Sequence, residues 1–296
     1  MSKLIVTGGA GFIGSHLTDK LIELGHEVVV IDNLTTGKKE NLNPKAIFHQ
    51  LDIRYLKLIQ PLFHNAEAVF HLAADPRLQI SVEDPIGTHE INVTGTLNVL
   101  FAAKTAGVKK VVFSSSCAIY GEQKLPIKEE DTPNPLSPYG LHKLMGGYYC
   151  RLFSGLYGLP TVALRYFNVF GSRKSADGGY PMVIPIFLKQ RQADQELTIV
   201  GDGEQTRDYV HVSDVVEANI KAWQSAVKSG ETINVGSGRQ ISVNFIAKLI
   251  GGKTVNLPAR AGEMRFIEAD NKKARELLDW APKMKFEDGL NNLLNR

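Results

Sequence analysis

The segment Leu4-Ile5-Val6-Thr7-Gly8-Gly9-Ala10-Gly11-Phe12-Ile13-Gly14 constrains the fold more than any other stretch of the chain. A short apolar, β-branched run enters a glycine-rich turn, and the turn opens into helical spacing from Phe12 to Leu24. Glycines let the backbone turn tightly and approach a pyrophosphate, which then sits at the positive N-terminus of the following helix. Gly9, Gly11 and Gly14 satisfy G-x-G-x-x-G, and Gly8, Gly11 and Gly14 satisfy the wider G-x-x-G-x-x-G. Glycine turns are common, so the setting between strand and helix carries the weight.

The first half of the chain repeats that alternation. β-branched runs at Glu27 to Ile31, Ala68 to Leu72, Lys110 to Ser114 and Thr161 to Leu164 are separated by helical stretches such as Ile91 to Ala106. Nearly continuous apolar strands with intervening helices predict α/β architecture: a doubly wound parallel sheet, the Rossmann fold. After about residue 165 the pattern becomes irregular, with Gly and Pro clustered in 171–185 and 251–262. Between these clusters lie a helical segment, Val212 to Ala226, and a short strand, Thr232 to Val235, able to return to the main sheet. The expected organisation is a dinucleotide-binding domain of residues 1–165 and 209–235, with a smaller, discontinuous C-terminal substrate-binding domain of residues 166–208 and 236–296.

Composition narrows the function classes. The 296 residues carry 34 Lys plus Arg against 31 Asp plus Glu, a formal charge of +3. That balance gives no broad basic face, so neither nucleic acid nor an anionic membrane is the expected partner. Two cysteines, Cys117 and Cys150, cannot form a disulfide framework and point to a reducing, cytoplasmic setting. The chain runs from Met1 almost directly into its first strand, leaving no room for a signal peptide, and no apolar run approaches the roughly 20 residues of a membrane helix. Its eight histidines show no ligand-like spacing, so no metal is expected.

Two carboxylates follow strands on the glycine-loop side. Asp32 closes the run Val28-Val29-Val30-Ile31, placed to accept hydrogen bonds from an adenosine ribose and to repel a 2′-phosphate, which favours NAD over NADP. Asp52, in Leu51-Asp52-Ile53, follows a third strand and is either an adenine-edge contact or a plain loop residue.

Tyr139 and Lys143 lie four apart in Ser137-Pro138-Tyr139-Gly140-Leu141-His142-Lys143. Ser137 is a good N-cap and Pro138 suits the first helical position, so a helix should begin here with both side chains on one face. Bringing a tyrosine from a pKa near 10 towards neutrality needs about 4 kcal/mol of preferential stabilisation of the phenolate. Lys143, the helix dipole and an oxidised nicotinamide would all contribute. A second Tyr-x-x-x-Lys, Tyr120 and Lys124, is interrupted by Gly121 and followed by Pro126, so helical pairing is not expected there. Ser114-Ser115-Ser116 end the fifth apolar run at the carboxyl edge of the sheet, where ligands bind. Ser116 can hydrogen-bond a substrate hydroxyl whose proton goes to Tyr139, whereas Ser114 and Ser115 can equally serve the backbone.

With these elements in order, the chain resembles the extended short-chain dehydrogenase/reductase family, most closely nucleotide-sugar epimerases of the UDP-glucose 4-epimerase type. The resemblance is carried by Thr7 to Gly14, Asp32-Asn33-Leu34, Asp52-Ile53, His71-Leu72-Ala73-Ala74, Asn92 to Thr96, Ser114 to Gly121, Tyr139 to Lys143, Arg165 to Asn168 and Arg207 to Val212. It implies an NAD-dependent isomerase with catalytic Ser116, Tyr139 and Lys143. It further implies cofactor contacts from Gly8, Gly11, Phe12, Ile13, Gly14, Asp32, Asn33, Thr36, Gly37, Asp52 and Ile53. Later in the chain the implied cofactor contacts are Leu72, Ala73, Ala74, Asn92, Ser114, Tyr139, Lys143, Tyr166 and Phe167. Substrate contacts would come from Ser116, Asn168, Val200, Arg207, Arg260 and Glu263, with Ile267 beside the sugar. A UDP-hexose would be oxidised at C4 to a 4-keto sugar and receive its hydride back on the other face. By the same resemblance, helices spanning Gly87 to Ala106 and Tyr139 to Tyr157, rich in apolar side chains including Phe101, Tyr148, Tyr149 and Phe153, would pair two subunits through a four-helix bundle.

The sequence also departs from the family. Relatives often carry a basic side chain close after Ala73-Ala74; Asp75 and Pro76 stand there, leaving open whether Arg77 meets the cofactor phosphates. Sugar dehydratases need a further acid and base after the catalytic hydroxyl residue, and uronate decarboxylases carry a glutamate in this region. Cys117 and Ala118 supply neither, so epimerisation is preferred. The alternatives are a UDP-N-acetylglucosamine or UDP-glucuronate 4-epimerase, a dehydratase or reductase, and a non-catalytic NAD-binding redox sensor or scaffold.

Overall fold

The computed structural model describes residues 1–174, 182–259 and 265–295. Seven strands form one parallel sheet: β1 (Lys3–Thr7), β2 (Glu27–Asp32), β3 (Ile47–Gln50), β4 (Ala68–His71), β5 (Lys110–Ser116), β6 (Thr161–Tyr166) and, after three intervening strands, β10 (Ser229–Val235). Their spatial order is β10-β6-β5-β4-β1-β2-β3. The order reverses between β1 and β4, which opens a crevice at the carboxyl ends of those strands.

Alternation along each strand divides the core. Leu4 and Val6 pack on one side with Leu17, Leu21 and Val215, while Ile5 packs on the other with Val99, Ala103 and Phe153. Helices Phe12–Glu23 and Val212–Gln224 therefore cover one face, and helices Gly95–Thr105 and Pro138–Tyr157 cover the other. Each fully buried aliphatic or aromatic side chain here contributes about 1.5–3 kcal/mol of transfer free energy. Phe153 belongs to this inner set, and Tyr149 packs against it, so these two face inward rather than adding to an outer apolar surface.

The remaining strands build a smaller layer. Strand β7 (Asn168–Phe170) and β11 (Gln240–Ser242) flank β9 (Thr206–His211), and β8 (Leu197–Val200) pairs with β12 (Thr254–Leu257). With helices Val183–Gln192, Val243–Ile250 and Phe286–Leu294 they enclose Phe170, Phe187, Tyr209, Ile246 and Leu290. The expected 208/209 boundary falls inside β9, whose partners are β7 and β11.

The helix expected from Gly87 to Ala106 is interrupted. Helix Pro85–His89 passes through a π-helical turn, Glu90–Thr94, before Gly95–Thr105 resumes. A Cβ on Gly95 would lie 2.6 Å from Ile53, so the backbone approaches closely here, and Thr96 Oγ1 donates to the Asn92 carbonyl at 2.7 Å. Widened turns of this kind interrupt helices where side chains serve another purpose. Nearby, the buried His71 joins Thr7 Oγ1 at 2.7 Å and Thr96 Oγ1 at 2.9 Å, tying β1, β4 and the helix together. Burial, with Lys143 nearby, pushes its imidazole down to about 3, so it is a neutral strut. Among the described residues, no helix is long and apolar enough to cross a membrane, and no His, Cys, Asp and Glu cluster could hold a metal.

Candidate active site

A cavity of about 960 Å3 occupies the crevice where the strand order reverses. Gly8, Gly11, Phe12, Ile13 and Gly14 line its first wall. Gly8 has φ +74°, and a Cβ there would lie 2.6 Å from Ala73 N; a Cβ on Gly14 would collide with the Gly8 carbonyl oxygen. Only glycine permits this turn. Gly11 caps the helix without a side-chain hydrogen bond, leaving the amides of the first turn open towards the cavity. Bare amides at a helix start, beside a turn with no side chains, fit a dinucleotide pyrophosphate.

Asp32 is buried at the end of β2, accepting from Ala10 N at 3.0 Å and Leu34 N at 2.8 Å. Burial raises its carboxyl pKa, and the two amides oppose that rise. Thr36 lines the cavity, whereas Gly37 lies behind it: a Cβ there would come within 2.9 Å of both Asp32 oxygens. Asn33 Nδ2 donates to Asp52 at 2.9 Å, and Arg54 Nη2 binds the same carboxylate at 2.8 Å. Burial works to raise Asp52, but the hydrogen bonds and charge of Arg54 prevail and hold it below the usual range. Asn33, Asp52 and Ile53 line this end of the cavity, and Leu72, Ala73 and Ala74 line its middle. Asn92 is not among the lining residues; its amide is engaged with the backbone of Asp75.

The opposite wall carries Ser114, Ser116, Tyr139, Lys143, Tyr166 and Phe167. Ser137 Oγ accepts from Gly140 N at 3.1 Å, and Pro138 opens the helix, as the sequence predicts. Tyr139 N donates to Ser81 Oγ at 3.1 Å, which fixes the start of the helix to its neighbour. One turn on, Lys143 Nζ donates to the Ser114 carbonyl at 2.7 Å and lies 5.9 Å from the centre of the Tyr139 ring. Burial lowers Lys143 to about 8. It raises Tyr139 to about 12, against the pull of the Ser116 hydroxyl and reinforced by smaller contributions from Cys117 and Asp75. Among the protein's own groups, burial therefore works against the phenolate, while the expected lowering also counts on an oxidised nicotinamide.

Tyr120 has a structural role. Its hydroxyl donates to Asn234 at 2.7 Å and accepts from the buried Arg165 at 2.6 Å, while Gly121 at φ +64° breaks any helical relation to Lys124. Tyr166 lines the cavity and donates its hydroxyl to Asn219 at 2.9 Å.

At the substrate end, Asn168, Arg207 and Ile267 line the cavity. Asn168 Nδ2 donates to the Asp208 carbonyl at 3.3 Å, and Arg207 Nη1 to the Thr206 carbonyl at 2.8 Å. Val200 ends β8 opposite Leu257 and is not among the lining residues. Arg260 and Glu263 lie outside the described residues. Sequence reasoning missed Lys174, a lining residue whose ammonium stands 5.2 Å from the Phe12 ring centre. The only signal was its place in the irregular stretch after β7.

The sequence matches the NAD dependent epimerase/dehydratase family over residues 4–236. A UDP-glucose 4-epimerase from Mycolicibacterium smegmatis is 38% identical across 97% of this chain and 96% of its own length. The crystal structure of a UDP-glucose 4-epimerase from Thermotoga maritima, determined with UDP-glucose, superposes with a TM-score of 0.95 at 40% identity, covering 99% of this chain and 97% of that one. A UDP-N-acetylglucosamine 4-epimerase from Methanobrevibacter ruminantium gives 0.94 at 35% identity over the same shares. Full-length similarity of this degree, on a seven-stranded Rossmann-like sheet, means that the chain belongs to the NAD dependent epimerase/dehydratase family, whose cofactor is NAD.

Proposed function

We propose that the protein inverts C4 of a UDP-hexose of the UDP-glucose/UDP-galactose type. The observation carrying this reading is that Ser116, Tyr139 and Lys143 share one cavity with the glycine loop, while Arg207 lines it as well. The loop amides and Asp32 would hold NAD. When bound, the oxidised nicotinamide supplies a hydride acceptor and a positive charge.

The chain's residues do the rest. Ser116 Oγ accepts from Ala118 N at 3.1 Å, so its own proton can serve the Tyr139 oxygen or the sugar's 4-oxygen. Tyr139 takes the proton of the 4-hydroxyl as the sugar passes to its 4-keto form, and returns it after the sugar has turned. Lys143, anchored on the Ser114 carbonyl, keeps protons for the nicotinamide ribose and stabilises the phenolate. Asn168 and Arg207 would hold the diphosphate while the sugar rotates. Elimination lacks a catalyst: burial pushes the Cys117 thiol up to about 12, and Ala118 has no acid or base.

Two subunits would pair through the helices Gly95–Thr105 and Pro138–Tyr157. Phe101, Leu141, Tyr148, Leu152, Leu156 and Tyr157 are exposed there, more apolar surface than a solvated face needs. The free thiols of Cys117 and Cys150 suit the reducing cytoplasm.

A panel of UDP-glucose, UDP-galactose, UDP-N-acetylglucosamine and UDP-glucuronate, assayed for C4 inversion by nuclear magnetic resonance, tests the substrate. Fastest inversion of the plain hexoses supports the proposal. Preference for the N-acetyl or uronate sugar moves it to a sister epimerase, and no inversion of any sugar sinks it.

A further inference from the structure

The loop from β4 to helix Leu78–Glu83 lines the cavity without a break from Leu72 to Arg77, and Leu78 and Gln79 of the helix continue the wall. Two carry opposite charges and engage each other. Arg77 Nη2 donates to Asp75 Oδ2 at 2.5 Å and Arg77 Nε to Asp75 Oδ1 at 2.9 Å, with Arg77 N adding a third contact at 3.1 Å. The Asp75 side chain is 4% exposed and that of Arg77 is 32% exposed. Two aligned donors on one carboxylate make the strong, geometrically specific form of this pairing.

The backbone of Asp75 is fixed independently of its side chain. Asp75 N donates to Asn92 Oδ1 at 2.7 Å, and Asn92 Nδ2 donates to the Asp75 carbonyl at 3.0 Å. The π-helical turn at Glu90–Thr94 is what presents that amide. From Arg77 the chain enters the helix, where Ser81 N donates to the Arg77 carbonyl at 3.0 Å and Ser81 Oγ accepts from Tyr139 N. A short path of contacts therefore joins the ion pair to the helix start that bears Tyr139.

We propose that Asp75 and Arg77 are positioning residues for the base: Arg77 is the committed counter-ion of Asp75 rather than a phosphate ligand, and the pair sets the pH at which Tyr139 gives up its proton. This rests on the reading of Tyr139 as the base. The groups around Tyr139 can be named element by element. The β4 loop brings Asp75 and Arg77, the turn after β5 brings Cys117, the helix of Tyr139 brings His142 and Lys143, and His89, from the helix beside it, meets His142 edge-to-face with ring centres 5.3 Å apart. Burial keeps Cys117 a neutral thiol and, with His89 and Lys143, holds His142 down at about 4 and uncharged. Asp75 is then the anion that opposes the phenolate, and Arg77, clamped on its carboxylate, is the cation placed to offset that charge.

The test uses the NAD-loaded full chain carrying Asp75→Asn, Arg77→Met or both. Asp75→Asn keeps the clasp of Asn92, which holds only main-chain atoms. Tyrosinate difference absorbance, referenced to Tyr139→Phe in each background, reads the titration without turnover. Arg77→Met should raise the midpoint by about one pH unit, Asp75→Asn should lower it by a similar amount, and the double variant should fall between. Arg77→Lys should stay near the parent, which separates lost charge from lost fold. Unmoved midpoints with a tenfold or greater weakening of NAD or nucleotide-sugar binding in Arg77→Met would overturn the proposal and assign Arg77 to a phosphate. Midpoints that move as expected in a protein that inverts no sugar would sink the substrate reading and leave this one standing.

Discussion

Lys143 and Tyr139 face each other across one helical turn, ammonium to ring centre 5.9 Å, with the ammonium anchored on the Ser114 carbonyl. That arrangement buries a cation with no carboxylate paired to it among the described residues, and its cost depends on pH. Lys143 falls from 10.5 to about 8 in the folded protein, so between those values the unfolded chain binds a proton that the folded one does not. Stability therefore rises with pH through this window. The stability of the parent relative to Lys143→Met should increase by about 3 kcal/mol from pH 8 to pH 10.5, measured by denaturant titrations in the absence of added nucleotide.

The cap of the catalytic helix makes a separable contribution. Ser137→Ala removes the acceptor for Gly140 N and should cost about 1 kcal/mol, seen as a lower urea midpoint with unchanged slope. Ser137→Thr should restore most of it.

Asp32 holds the glycine loop as well as facing the expected ribose. With Ala10 N and Leu34 N both bonded to its carboxylate, Asp32→Ala should weaken NAD binding by about 10- to 100-fold in calorimetric titration. A change below twofold would remove Asp32 from the cofactor site.

The outer face of helix Pro138–Tyr157 gives a prediction about assembly. Leu152 and Tyr148 are exposed on it, and Lys104 stands over the rings of both Phe101 and Tyr157. Tyr148→Glu with Leu152→Glu should convert a sedimenting dimer to a monomer, whereas a parent that already sediments as a monomer at micromolar concentration contradicts the proposed bundle.

What could be read from the sequence was local. Ser137-Pro138 announces a helix start through capping chemistry, and strand-glycine-helix spacing announces the loop because tight turns exclude side chains. The strands also follow from their apolar runs, although β5, β6 and β10 each extend beyond them. What could not be read depends on distant partners. The orientation of Asn92 towards Asp75 follows from a π-helical turn packed on Ile53, and the placement of Gly37 behind Asp32 follows from how two loops meet. The upward push of burial on Tyr139 was hidden for the same reason: proximity to Lys143 is visible in the spacing, while the depth of burial is not.

The central claim is that Tyr139 moves the proton of the sugar hydroxyl. The rate of C4 inversion of UDP-galactose by Tyr139→Phe, measured beside parent protein under saturating NAD and with matched thermal unfolding, addresses it most directly. A loss of about 100- to 10,000-fold with intact NAD binding is the expected result. A rate within a few fold of the parent would contradict the account.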